Sequence, residues 1–275
     1  MRPFLSLILL LPLMMACNSI FYQPLANDLD DPKRLDFDYS IERIESSDGV
    51  KLAAWWFHSI VKTAKKKLIV HFHGNAENMT SHFHFTAWLT QEGFDVLTFD
   101  YRGYGRSTPA KPSRQGLIDD GCGVFKWVSE HPILKNYEVY GLGQSLGGAV
   151  LLSTFAACPN AAVKGLVIDS SFSSYRRIAR QKLSEIWLTW PLQYPLSLLI
   201  SDDLNPIDAA ALIKLRMQYF HNKNDPVVPY TLGRELYEAT QAEKIWVEVK
   251  EDGHIRAFAH SESPYRAALV KFLDQ

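Results

Sequence analysis

Beyond residue 67 the chain alternates short, largely apolar runs with longer stretches of helical periodicity, and this alternation restricts the fold more than any other feature. The apolar runs occupy 68–71, 94–99, 138–140, 165–168, 217–220 and 245–249. Runs with no polar face fit strands covered on both sides, as in a mostly parallel sheet; a sheet with one wet face would alternate instead. Helical windows fall between them near 78–91, 114–130, 146–157, 232–241 and 263–273. Strand and helix in alternation predict an α/β fold with a mostly parallel central sheet and helices on both faces. Two segments depart from the rhythm. Residues 39–45 and 50–58 alternate around Ser47-Asp48-Gly49, the pattern of a β-hairpin. The interval 175–205 replaces a short connection and carries Trp187, Trp190, Pro191, Pro195 and many leucines, which reads as an inserted helical lid.

One α/β domain over 39–275 accounts for the bulk of the 275 residues. Lys and Arg number 29 against 30 Asp and Glu, so the chain lacks the positive field that nucleic-acid binding needs, and no nucleic-acid partner is expected. The run Lys65-Lys66-Lys67 reads as a solvated turn. At the start, Arg2 precedes an apolar run from Phe4 to Ala16 interrupted only by Ser6 and Pro12, the shape of a secretory signal peptide. The run is shorter than the roughly 20 apolar residues that a membrane-spanning helix requires. Leu13-Met14-Met15-Ala16-Cys17 resembles a bacterial lipobox. That resemblance implies removal of residues 1–16, lipid attachment at Cys17 and, with Asn18 behind the cysteine, a place on the outer membrane facing the periplasm; the polar stretch over 17–38, with Pro24 and Pro32, reads as a tether. Cys122 and Cys158 are too few for a disulfide framework and read as buried thiols, with a single bridge left open.

The chemistry centres on Gly143-Gln144-Ser145-Leu146-Gly147, a Gly-x-Ser-x-Gly pattern placed directly after an apolar strand and directly before a helix. A serine on such a strained turn is exposed to attack a carbonyl, and flanking glycines let strand and helix approach closely. Ser145 is therefore the candidate nucleophile. A serine hydroxyl needs a base to take its proton and an acid to orient that base. His254 lies in the loop after the last strand and is the candidate base; His260 stands where the final helix begins and reads as a surface or capping residue. Asp225, in a proline-flanked loop after the strand 217–220, is the candidate acid. Asp169, at the end of the preceding strand, is its rival; Asp202, Asp203 and Asp208 read as caps or surface charges, and Asp252 adjoins His254 too closely to orient it. An oxyanion needs two N–H donors, for which Leu146 and Asn75 are the candidates, with Ala76 beside Asn75 as the alternative. His71, His73, His82 and His84 fall in two pairs, yet no cysteine or carboxylate at ligand spacing joins them, and Glu77 reads as a helix cap. No metal or organic cofactor is implied.

These motifs together resemble the α/β-hydrolases over about 39–275. His73-Gly74-Asn75-Ala76-Glu77-Asn78 and Asp100-Tyr101-Arg102-Gly103-Tyr104-Gly105-Arg106-Ser107 are similar to the subgroup related to protein depalmitoylases and lysophospholipase-like hydrolases. In the second motif Asp100 and Arg102 read as structural. The resemblance implies a serine hydrolase of esters or thioesters, acting on a small-molecule or lipid-like acyl substrate. A prolyl-oligopeptidase-like peptidase and a non-catalytic lipoprotein that keeps the fold are the alternatives.

Overall fold

The computed structural model describes residues 21–61 and 65–275. The expected signal segment and Cys17 lie outside the described residues. Eight strands form one sheet: β1 (Tyr39–Glu45), β2 (Lys51–Phe57), β3 (Lys67–Phe72), β4 (Asp95–Phe99), β5 (Glu138–Gln144), β6 (Val163–Asp169), β7 (Arg216–Asn222) and β8 (Lys244–Val249). The α-helices are α1 (Met79–His82), α2 (Arg114–Glu130), α3 (Leu146–Ala157), α4 (Tyr175–Glu185), α5 (Gln193–Ser197), α6 (Pro206–Leu212), α7 (Tyr230–Ala239) and α8 (Pro264–Asp274). The spatial order is β1-β2-β4-β3-β5-β6-β7-β8. The β1–β2 hairpin joins antiparallel through β2 to β4, and every pairing from β4 to β8 is parallel.

The largely apolar runs have the physical cause expected of them, because successive side chains enter different cores. On β3, Leu68 and Val70 pack into a cluster with Val124 and Phe125 of α2 and Leu151 of α3. Ile69 points the other way, into a cluster with Met79, Phe83 and Leu269 of α8. Each such residue, taken fully out of water, contributes roughly 1.5–3 kcal/mol of transfer free energy. Helix α3 is apolar on all sides and buried through its first ten residues, which makes it the central helix of its layer. The hairpin turn is fastened by Arg102, whose guanidinium donates to Asp48, Ser46 and the fully buried Asp120 of α2.

Three regions differ from the sequence reading. The helical window at 78–91 breaks into α1 and two short 3-10 turns, Phe83–Phe85 and Ala87–Glu92. Thr86, with φ −131°, leaves the helical region between the two turns while its hydroxyl meets His71, and Thr90 returns its hydroxyl to the Ala87 carbonyl. Asn78, not Glu77, caps α1, accepting from Thr80 N–H at 2.9 Å. Cys122 on α2 and Cys158 at the end of α3, read as thiols, form a disulfide with Cα atoms 5.7 Å apart; the packing of α2 on α3 brings them together, a proximity that their spacing in sequence does not show. Finally, the segment read as a tether lies against the domain from Phe21 onward. Phe21 meets Phe172 and Tyr175 edge-on, and Asn78 Nδ2 donates to the carbonyls of Leu25 and Asn27. Residues 21–38 are a strap laid over the loops that follow β3 and β4.

Candidate active site

The chain passes from β3 to β4 on one side and then returns to place β5 on the other side of β3. The carboxyl ends of β3 and β5 thus diverge at a switch point, where an open parallel sheet leaves a crevice. Phe72 pairs with Gly143, so the loop after β3 and the turn after β5 are neighbours by register.

Ser145 occupies that turn with φ 53° and ψ −119°. A non-glycine backbone in such a region costs on the order of 1–3 kcal/mol and persists only when its surroundings hold it. Two contacts do so: Ser145 N–H donates to Asp169 O at 2.8 Å, and the Ser171 hydroxyl donates to Ser145 O at 2.8 Å. The flanking glycines are required by space. A Cβ on Gly147 would lie 2.0 Å from Phe72 O, and one on Gly143 would lie 2.6 Å from Gly147 O.

Beneath the serine, Gln144 bridges β3 and β6. Its Nε2 donates to Asp169 Oδ2 at 2.9 Å, so its Oε1 accepts from His71 Nε2–H at 3.0 Å. His71 Nδ1 then accepts from the hydroxyls of Thr86 and Thr98. Burial, with His82 nearby, drives the His71 pKa down to about 3, which keeps the ring neutral. Asp169, the rival acid, is spent in this network. It accepts from Gln144 and the Ser170 hydroxyl, and burial pushes its carboxyl up to about 6.

Asp225 and His254 are brought together from loops after neighbouring strands. Asn222 and Val249 end β7 and β8 in register, and the Asn222 side chain donates across to Glu251 O. His254 Nδ1 donates to Asp225 Oδ2 at 2.8 Å, while Asp225 Oδ1 accepts from the N–H groups of Val227 and Val228 at 2.8 and 2.9 Å. The Asp225 side chain is wholly shielded from solvent. Burial alone would raise its pKa; the His254 hydrogen bond and charge, with the two backbone donors, outweigh it and hold the carboxyl below its ordinary value. His260 lies six residues beyond His254 in the turn before α8, where its carbonyl accepts from Ser263.

The N-terminus of α3 has no side-chain cap, leaving the Leu146 N–H free to meet an anion. Opposite it, the Asn75 side chain is gripped by the strap: Nδ2 donates to Phe21 O at 2.9 Å, and Oδ1 accepts from Gln23 N–H at 3.0 Å and the Tyr104 hydroxyl at 2.8 Å. Ala76 follows at φ 76°, the kink that turns this loop. His82 Nδ1 accepts weakly from Gly74 N–H at 3.4 Å, and burial lowers its pKa to about 4 against the opposing charge of Glu77. Asp100 braces the same loop by accepting from the N–H groups of Met79 and Arg106.

Ser145, His254, Asn75 and Leu146 all line one cavity of about 700 Å³. The Ser145 hydroxyl and His254 share it without a direct hydrogen bond, as is common before substrate draws such contacts tight. The rest of the wall is largely apolar, drawn from Phe21 of the strap, Phe172, Ile178 and Leu183 around α4, and Leu196 and Leu199 of the lid. Phe21, Gln23 and His82 were not foreseen at this site. The aromatic pair Phe21-Tyr22 ahead of the acidic stretch was the available signal for the strap, while nothing in the spacing of His82 marked it as part of the cavity.

A mostly parallel sheet with a strained serine after β5, a carboxylate after β7 and a histidine after β8 defines an α/β-hydrolase architecture. The family model described as serine aminopeptidase, S33, matches residues 63–207, and the chain belongs to this α/β-hydrolase family. The chain is 30% identical over 240 residues to the uncharacterized protein YfhR of Escherichia coli K12, spanning 86% of this chain and 81% of that one. It is 27% identical over 255 residues to the alpha/beta hydrolase domain-containing protein WAV2 of Arabidopsis thaliana, spanning 89% and 81%. Among solved structures, the Pyrococcus furiosus esterase Pf2001 superimposes with a TM-score of 0.76 at 22% identity, covering 92% of this chain and 97% of that one, a likeness of fold.

Proposed function

We propose that the protein is a serine hydrolase of carboxylic esters or thioesters with acyl or lipid-like substrates. The observation that carries the reading is the His254–Asp225 hydrogen bond of 2.8 Å at the edge of an apolar cavity that also holds a strained serine. In this reading Ser145 attacks the carbonyl carbon as His254 Nε2 takes its proton. Asp225 keeps Nδ1 protonated and steadies the imidazolium that results. The N–H groups of Leu146 and Asn75 receive the oxyanion. His254 returns the proton to the leaving alcohol or thiol, and water, activated the same way, releases the acid from the acyl-enzyme. The strap and lid side chains form the acyl wall, in keeping with the depalmitoylase-like and lysophospholipase-like motifs.

We further place the protein in a bacterial cell envelope, attached through lipid at Cys17 and facing the periplasm. The Cys122–Cys158 bridge supports an oxidising compartment.

The family description favours a peptidase as the second reading. An aminopeptidase has an ammonium group to hold, and among the described residues the cavity wall carries no carboxylate and one lysine, Lys182. That lining supports an uncharged acyl group instead. Labelling with a fluorophosphonate probe, in the parent and in Ser145→Ala, tests the nucleophile; an unlabelled parent refutes the enzyme reading. Turnover of p-nitrophenyl esters from acetyl to octanoyl tests the substrate class, with longer chains expected to win. A steep preference for acetyl sinks the acyl-chain reading, and aminoacyl p-nitroanilide cleavage at comparable rates replaces it with the peptidase.

A further inference from the structure

The lid carries apolar surface on both of its sides. Leu196 and Leu199 face the cavity, while Trp187 and Trp190 are 85% and 60% exposed, with Leu188, Tyr194 and Leu198 exposed beside them. Ile186 belongs to both sides, lining the cavity and standing half in solvent. A patch of this kind is more than the scattered apolar exposure of an ordinary surface and marks an interaction site. Arg180 lies 4.6 Å over the Tyr194 ring and, unlike Arg176, Arg177 and Lys182 on α4, has no carboxylate partner among the described residues.

We propose that this face of the lid docks into the interfacial layer of a lipid bilayer, so that the cavity takes its acyl substrate directly from lipid. What selects a bilayer over a protein partner is where the chain enters. Phe21 is a cavity residue, and it follows Cys17 by four positions and the apolar run 4–16. An attachment at Cys17 therefore holds the cavity mouth at the membrane rather than leaving the domain free on a long tether. Tryptophan, tyrosine and leucine flanked by arginine are the residues that settle at the headgroup level. Among the described residues no helix is long and apolar enough to cross a membrane, so the lid lies on the bilayer. The proposal deepens the reading of a membrane-held acyl hydrolase and rests on it.

The test uses the full chain reconstituted into phosphatidylcholine–phosphatidylglycerol vesicles whose acyl chains are brominated near the headgroup. Two of the seven tryptophans are strongly exposed, so emission is expected to fall by roughly a quarter, and the loss is expected to vanish in W187F/W190F. A second variant, W187S/L188S/W190S, is expected to turn over a vesicle-borne ester about tenfold more slowly while hydrolysing soluble p-nitrophenyl acetate within twofold of the parent. Vesicle flotation reads the anchor, fluorophosphonate labelling reads the serine, and quenching reads the docking. A protein that floats and labels without quenching at Trp187 and Trp190 overturns the docking and leaves both other readings standing. Sedimentation as a dimer that the serine variant splits, again without quenching, assigns the patch to a second copy of the chain and also overturns it.

Discussion

Among the glycines beside Ser145, Gly147 leaves the least room for a side chain, and it yields the most demanding quantitative expectation. In Gly147→Ala the new methyl lies 2.0 Å from Phe72 O and 2.5 Å from His73 O. Restoring an ordinary carbon–oxygen contact of about 3.3 Å requires β3 and the head of α3 to separate by more than about 1 Å. Neither obstacle can rotate away, since both are main-chain carbonyls paired in or next to the sheet. Overpacking of this kind costs up to about 3 kcal/mol, and the helical preference of alanine over glycine returns about 1, so a net loss near 2 kcal/mol is expected. The catalytic effect should be larger than the stability loss implies. The same separation moves Ser145 and Leu146 away from Asn75, and a misplacement of about 1 Å in a reacting geometry costs roughly 10²-fold in rate. Urea unfolding gives the first quantity, and the second-order rate of fluorophosphonate labelling, measured well below the unfolding transition, gives the second. A variant with unchanged unfolding midpoint and labelling within twofold of the parent would refute the argument that backbone proximity sets the turn.

Asp225→Asn keeps an acceptor for Val227 and Val228 while removing the charge that holds the His254 tautomer, so kcat for a p-nitrophenyl ester should drop by about 10³–10⁴ with folding retained by circular dichroism. Cys122→Ser/Cys158→Ser opens a link across 36 positions and should lower unfolding free energy by about 3–4 kcal/mol in urea titrations; indifference to reductant in the parent would count against the bridge. Asp169 has its folded-state carboxyl raised to about 6 against 3.8, so the folded chain keeps a proton that the unfolded chain has released between those values, and stability falls as pH rises through that window. Asp169→Asn should remove this slope, matching the parent near pH 3.5 and exceeding it by about 1–3 kcal/mol at pH 8, as read by thermal unfolding across pH.

The parts of the fold that were legible share a cause. β3 and β4 are buried on both faces and therefore mostly apolar, with His71, Asp95 and Thr98 as buried polar exceptions, and α2 begins at a serine cap and runs uninterrupted to Glu130. The strained turn at Ser145 was legible because Gly143 and Gly147 answer a steric demand that few other residues meet, and the loops bearing Asp225 and His254 followed from the order of strands. The illegible parts depend on contacts distant in sequence. The break at Thr86 in the 78–91 window goes with a backbone outside the helical region and a hydroxyl that meets His71 on β3, a contact that periodicity does not register. The Cys122–Cys158 pair follows from how α2 and α3 pack. The strap escaped because much of its hold is made by backbone groups: Phe21 O, Gln23 N–H and Leu25 O make the bonds to Asn75 and Asn78, which leaves the Phe21-Tyr22 pair as its side-chain signal.

That hold sets an order of completion. Phe21 and Gln23 are synthesised more than fifty positions ahead of the Asn75 they restrain and over 120 ahead of Ser145, so they wait long for their partners. A chain whose leading segment is engaged elsewhere, by export machinery or by a bulky fusion, carries every reactive group and still has a slack Asn75 loop. The grip on Asn75 makes the strap a late-fitted keystone, and a tag belongs after Gln275 rather than immediately before Phe21.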